Sequence, residues 1–274
     1  MMNRNDTPRT NGSDAVRIFA FTCGWLTGDL GGFVDGESGR LKVPVPAFLI
    51  EHPRGRVLFD SGLHPDAGVD PVARLGRLSH FFEVDYGAGQ DVAARLEALD
   101  VAADRIDLLV LSHLHFDHAG GCGLIPRARV VVQRREWEAG ADADLAAANA
   151  FDARDYRHGH DLLLVDGEHD LFGDGRVVCV PTFGHTPGHQ SLRVRPDSGG
   201  EVVLCADACY LRRNLDEMRL PSVVYDREKM LASLQALGAL RAGGAAMIYG
   251  HDPQVWRSVP QAPLALLASV AGGR

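Results

Sequence analysis

Residues 113–118 read His-Leu-His-Phe-Asp-His, directly after the apolar run Leu108-Leu109-Val110-Leu111. A strand that delivers imidazoles and a carboxylate into the loop at its end is the layout of a metal centre. In extended chain, side chains two apart point the same way, so His113 and His115 face one ion. Asp117 and His118 are neighbours and do not share that direction; a turn into helix there swings both toward a second ion. The same layout recurs further on. His185 and His189 lie in Gly-His-Thr-Pro-Gly-His after a run ending at Pro181. Asp207 follows Val202-Val203-Leu204-Cys205-Ala206, and His251 follows Met247-Ile248-Tyr249-Gly250. Each candidate ligand comes off an apolar run, often beside glycine, which places them all on one edge of a strand framework.

That framework is legible as alternating strand and helix signals. Val16 to Thr22, Val43 to Glu51, Arg56 to Asp60, Ile106 to Leu111, Val130 to Val132, Asp161 to Val165, Val177 to Pro181, Gln190 to Val194, Val202 to Cys205 and Ala246 to Tyr249 read as strands. Gln90 to Leu99 and Arg134 to Gly140 read as helices. Asp226 caps a further helix to Arg241, with Met230, Leu234 and Leu237 inward and Gly243-Gly244 as its stop. Residues 24–41 read as loop, and 62–89 as irregular. Strands outnumber helices and the two are interleaved, which fits sheets covered by helices. With no linker visible, residues 15–274 are expected to form one domain behind a polar, disordered leader, 1–14.

The series His-x-His-x-Asp-His, Gly-His, Asp, Gly-His resembles the metallo-β-lactamase superfamily from about Val16 to about Pro263. Within it, Ser112-His113-Leu114-His115-Phe116-Asp117-His118-Ala119-Gly120-Gly121, Gly184-His185-Thr186-Pro187-Gly188-His189-Gln190-Ser191, Asp207-Ala208-Cys209-Tyr210 and Gly250-His251-Asp252 are similar to the N-acyl-homoserine lactonases, which degrade quorum-sensing signals. The resemblance implies an α+β fold, an αββα sandwich of two mixed sheets flanked by helices. It implies two divalent metal ions, Zn2+ ahead of Co, Mn or Fe. His113, His115 and His185 would bind one and Asp117, His118 and His251 the other, with Asp207 bridging. His189 would stand behind the ligands, and Asp60 would support them. It implies the opening of an acyl lactone by a metal-bridging hydroxide, with Tyr210, Asp117 and Asp207 catalytic and no organic cofactor. Trp25, Leu26, Phe33, Phe81 and Phe82 would line an acyl-chain pocket. The chain departs from the lactonase pattern at Phe183, where Pro is usual, and at Cys209, where a small hydroxyl residue is common and a thiol would sit beside the bridging carboxylate.

Bulk properties exclude other classes. A net charge of −8 and no Lys/Arg-rich run argue against nucleic acid or an anionic membrane as partner. No apolar stretch reaches the roughly 18 residues of a membrane helix. Five scattered cysteines with no C-x-x-C pair suit reduced thiols and a cytoplasmic setting. The expected partner is a small acyl lactone, and the expected state a monomer or homodimer. His158 and His160 follow no apolar strand and read as solvated loop residues, and His52, His64, His80 and His169 are given the same reading. Rival functions are a glyoxalase II-like thioesterase or another ester hydrolase with the same ligands, a mononuclear-iron persulfide dioxygenase, and a non-catalytic metal-binding module. Class B β-lactamases carry Cys where Asp207 stands, which disfavours penicillin hydrolysis.

Overall fold

A computed structural model describes residues 15–267. The expected leader, 1–14, lies outside the described residues. The described residues form twelve strands: β1 (Arg17–Asp29), β2 (Arg40–His52), β3 (Gly55–Phe59), β4 (Glu83–Asp85), β5 (Leu108–Val110), β6 (Arg129–Gln133), β7 (Leu162–Val165), β8 (His169–Asp170), β9 (Val177–Pro181), β10 (Gln190–Val194), β11 (Val202–Leu204) and β12 (Ala246–Ile248). They form a seven-stranded sheet, β4-β1-β2-β3-β5-β6-β7, and a five-stranded sheet, β12-β11-β10-β9-β8. Both sheets are mixed. β3, β5, β6 and β7 run parallel, as do β11 and β12, and the remaining pairs are antiparallel.

Alternation along the strands builds the layers. Paired Ile18 and Ile50 face the second sheet, where they meet Leu192, Val202 and Leu204; their neighbours Phe19 and Leu49 face the other way, into a core shared with Val92 and Leu96 of helix Val92–Glu97. On the far side of the five-stranded sheet, Val203 and Met247 pack under Met230, Leu234 and Leu237 of helix Arg227–Ala242. The order is helix, sheet, sheet, helix, the αββα sandwich expected.

Two stretches are more ordered than the sequence suggests. Residues 24–41 are not loop. β1 continues through Asp29 and pairs with β2 back to Arg40, after a register shift between Thr22 and Trp25 where Gly24 takes a φ of 104°. The bulge interrupts the alternation that would mark a strand. Within 62–89, β4 pairs with Trp25–Thr27, and ion pairs Arg40–Glu83 (2.6 Å) and Lys42–Asp85 tie it across β1 to β2. His52 is not solvated either. It is buried at the end of β2, stacked on Phe172 with ring centroids 4.0 Å apart and 2.9 Å from an Asp174 oxygen. His169 lies in β8, and the half-buried His160 donates to the Ile125 carbonyl (2.9 Å).

β3, β5, β9, β11 and β12 all end at one edge. There the two sheets are joined by Gln190, whose backbone N–H donates to Ser112 O (2.9 Å) and whose side chain donates to Leu111 O (2.9 Å).

Candidate metal centre

Beyond β5 the chain turns through residues 113–118, with the N–H groups of His118 and Ala119 donating back to His115 O. The turn breaks the two-residue alternation and swings Asp117 and His118 away from His113 and His115. The loop after β9 carries His185, and a short 3-10 turn after β11 carries Asp207, with Ala206 at a φ of 46°. Two residues after the Tyr249 that follows β12 comes His251, its N–H bonded to Tyr210 O (2.9 Å). At Gly250 an added Cβ would stand 2.5 Å from Ala206 O, so the two ligand-bearing turns approach closely only because this position has no side chain.

The side chains converge as two groups, His113, His115, His185 and Asp207 in one and Asp117, His118 and His251 in the other. In the first, His113 Nε2, His115 Nδ1 and His185 Nε2 are 2.9, 3.1 and 3.2 Å from one another, and Asp207 Oδ2 is 3.3 Å from His185 and 3.6 Å from His113. In the second, Asp117 Oδ2 is 3.7 Å from His118 Nε2 and 3.6 Å from His251 Nε2. The other Asp207 oxygen, Oδ1, faces this group, 3.2 Å from His118 Nε2 and 3.1 Å from His251 Nε2. Asp207 thus turns one oxygen to each group.

These donors fit metal ions. A tetrahedron with bonds of 2.0–2.1 Å has ligand-to-ligand edges of about 3.3 Å, which the contacts bracket. His118 Nε2 and Asp207 Oδ1 are buried and without hydrogen-bond partners, a cost that a coordinated cation removes. Each imidazole is held by its other nitrogen, which leaves the converging one bare. His115 Nε2 donates to Asn149 O (2.8 Å) and His251 Nδ1 to Pro44 O (2.8 Å). His118 Nδ1 donates to Asp60 Oδ2 (2.9 Å), and Ser112 Oγ receives His113 Nδ1 (2.9 Å) while donating to the same Asp60 oxygen (2.9 Å). Asp60 therefore steadies one histidine of each group. His185 Nδ1 meets the Tyr210 hydroxyl at 3.2 Å.

The electrostatics of the groups differ. Burial pushes His113 and His185 well below the usual imidazole value and lowers His115. Burial opposes charge on His118 and His251 too, but Asp207 and Asp117 outweigh it at both, with Asp60 adding at His118, and raise them. Burial disfavours the Asp207 carboxylate, yet facing His118 and His251 hold it well below the carboxylate range.

A metallo-beta-lactamase superfamily model matches residues 41–251. The chain belongs to the metallo-β-lactamase superfamily. Among curated members of this superfamily, it is 33% identical over 234 residues to the N-acyl homoserine lactonase AttM of Azorhizobium caulinodans, covering 83% of this chain and 89% of that one. It is 27% identical over 223 residues to an N-acyl homoserine lactonase of Bacillus thuringiensis, covering 77% and 82%. Its fold is similar to a solved N-acyl homoserine lactone hydrolase with the product N-hexanoyl-L-homoserine bound at the catalytic metal center, with a TM-score of 0.82 at 24% identity over 93% of this chain and all of that one. It is also similar to AidC, a dizinc quorum-quenching lactonase, with a TM-score of 0.64 at 16% identity over 87% and 88%.

The seven ligands that the resemblance implies all lie in the two groups. His189 stands outside them. Its Nδ1 meets Thr182 Oγ1 (2.9 Å) and its Nε2 accepts the backbone N–H of Asp207 (3.1 Å), so it sits behind the shared carboxylate. Cys209 is not beside the ligands as a thiol; its Sγ donates to Leu211 O and it packs into the core under helix Arg227–Ala242. Of the residues expected to line an acyl pocket, Phe33 packs edge-on to Tyr210 (5.4 Å) and Phe82 against Phe116 (5.8 Å). Leu26 is in the core, Trp25 packs against the inter-sheet core, and Phe81 is 63% exposed. Sequence reasoning missed Ser112 and Glu136, and it missed Asn149 and Pro44, which act through main-chain carbonyls that no residue type announces.

Proposed function

We propose that the protein is a metal-dependent hydrolase that opens the lactone ring of N-acyl-homoserine lactones to give N-acyl-homoserines. The observation that carries this reading is Asp207, with one oxygen on each ligand group and Tyr210 three residues on with its hydroxyl at the same site. The curated relatives named as N-acyl homoserine lactonases, matched over most of their length, support it.

His113, His115 and His185 would hold one ion, Asp117, His118 and His251 the other, and Asp207 both. Bound there, two divalent cations, Zn2+ first among those that His and Asp donors accept, supply Lewis acidity that acidifies water toward neutral pH and polarises a carbonyl. Tyr210 would donate to the lactone carbonyl oxygen as it gains negative charge. Its oxygen lies 3.2 Å from His185 Nδ1 and its hydroxyl also hydrogen-bonds Asp207, so the proton it would give the carbonyl oxygen is aimed into the site. Burial, then the charges of Asp207 and Asp117, push the phenol well above its ordinary value, so it stays protonated. Asp117 would take the proton released as water adds to the carbonyl carbon and pass it to the ring oxygen as the C–O bond breaks. Phe33 packs edge-on against the Tyr210 ring, and the paired Phe82 and Phe116 would offer an apolar wall to the acyl chain. The five buried, unpaired thiols suit work in the reducing cytoplasm, as a monomer or homodimer.

The test is metal content together with proton release on a panel of acyl-homoserine lactones, S-lactoylglutathione and a persulfide. About two ions per chain and turnover of the lactones are expected. Rapid thioester cleavage with inert lactones would replace the substrate and leave the metal centre standing.

A further inference from the structure

Helix Arg134–Ala141 follows β6 and is wedged between two ligand loops. At one end an added Cβ on Gly188 would stand 2.5 Å from Glu136 N; at the other, one on Gly140 would stand 2.6 Å from Leu114 Cδ1. Arg135 lies over the Phe183 ring, 4.5 Å from its centroid, a second contact to the same loop. Glu136 is 0% exposed. Its Oε1 accepts the N–H of Leu114 (3.2 Å) and its Oε2 that of Gly188 (2.6 Å). Leu114 lies between His113 and His115, and Gly188 lies in the turn between His185 and His189. Burying a carboxylate is costly, and this one has no cation in hydrogen-bond contact to offset it. What it gains is two backbone donors, one from each loop, with the Thr186 hydroxyl beside His185 as a third partner.

We propose that Glu136 is a positioning residue for the first ligand group, a carboxylate clamp that fixes the loop of His113 and His115 against the loop of His185. The histidines of the second group are held by Asp60 on His118 and Pro44 O on His251, and Glu136 bonds neither of their loops. Both acceptor oxygens are needed. A glutamine of the same size keeps one acceptor and turns an NH2 toward the other N–H, donor against donor. An alanine leaves both N–H groups buried and unpaired.

The inference rests on metal occupancy of the two groups and is independent of the lactone substrate. Zn2+ affinity is measured by competition with a chelator in two backgrounds, His251→Ala, which leaves only the first group whole, and His185→Ala, which leaves only the second. In the first background Glu136→Gln is expected to weaken binding about 10-fold and Glu136→Ala about 100-fold, the range for residues behind metal ligands. In the second background both stay within about twofold. In the otherwise unaltered chain, kcat of Glu136→Gln falls while KM holds. A residue that served only overall stability would weaken both backgrounds alike, and that result overturns the proposal, as does unchanged affinity in the first background. Glu136→Gln, close to isosteric, carries the test if Glu136→Ala does not fold. Absence of Zn2+ binding in the unaltered chain would overturn this proposal and the metal reading together.

Discussion

Asp207 and Tyr210 have different parts in the proposed chemistry, and each is tested by one substitution. Asp207 touches both ligand groups, so Asp207→Ala removes a ligand from each and leaves five histidines and Asp117 facing a shared space without their counter-charge. The expected result is loss of both ions and of turnover, read by metal analysis and lactone hydrolysis together; activity retained without bound metal would refute the role. Tyr210 is not placed among the ligands, so Tyr210→Phe is expected to keep both ions while kcat falls roughly 10- to 1,000-fold, the range for loss of one oxyanion donor. An unchanged kcat and kcat/KM would remove it from the mechanism. The seven grouped residues were legible as candidates because each follows an apolar run, but the same signal also marked His189, and only the family resemblance set it apart. The supports were less so. Asp60 came through resemblance. Asn149 and Pro44 contribute carbonyls that every residue type possesses, and Glu136 sits in a helical turn like any solvated glutamate until the loops it joins are seen.

At the scale of elements, the histidines are placed by how loops and helices touch. Gly184 has a φ of 127°, and a Cβ there would lie 2.1 Å from Met230 N at the start of helix Arg227–Ala242. Gly184→Ala must push that helix away from the loop that carries His185. We expect a loss of about 2–4 kcal/mol in urea unfolding, together with reduced metal content. Leu234→Ala, in the same helix but facing the core, should cost about 2–5 kcal/mol and leave metal content intact, since the cavity it opens lies under the five-stranded sheet. Equal metal content in the two variants would show that the helix does not position the loop. This helix was readable because its cap, inward stripe and glycine stop agree; Asp226 accepts the N–H of Lys229 (3.0 Å), as its type suggests. The extension of β1 was not readable, because Gly24 shifts the register and β4 is tied on by surface charges and not by an apolar run. A local pattern identifies an element only where its own residues carry the stabilisation.

For the whole molecule, acid sets bound metal against protons. Coordinating imidazoles must be neutral. The carboxylates around His118 and His251 favour their protonated forms, whereas burial disfavours protons on His113, His115 and His185. Lowering the pH from 8 toward 5 is therefore expected to empty the second group before the first, seen as a one-ion species in native mass spectrometry or as stepwise loss of Co2+ absorption bands. Release from the first group ahead of the second would contradict this. His189 adds a stability term of its own. Burial takes it down to about 3 in the fold, below its value of about 6.5 in the unfolded chain. The unfolded chain then takes up the proton first, so this contribution is complete above about 6.5 and is lost as pH falls through the interval toward 3. The order of the ligands along the chain has a consequence during synthesis. Asp207 completes the first group, while His251, the last of the second, comes 44 residues later, after all of helix Arg227–Ala242 and β12. At roughly 5–20 residues per second, translation makes the ligands of one site about 2–9 s before those of its neighbour. A ribosome stalled in that interval holds a nascent chain with every donor for one ion and an unfinished set for the other.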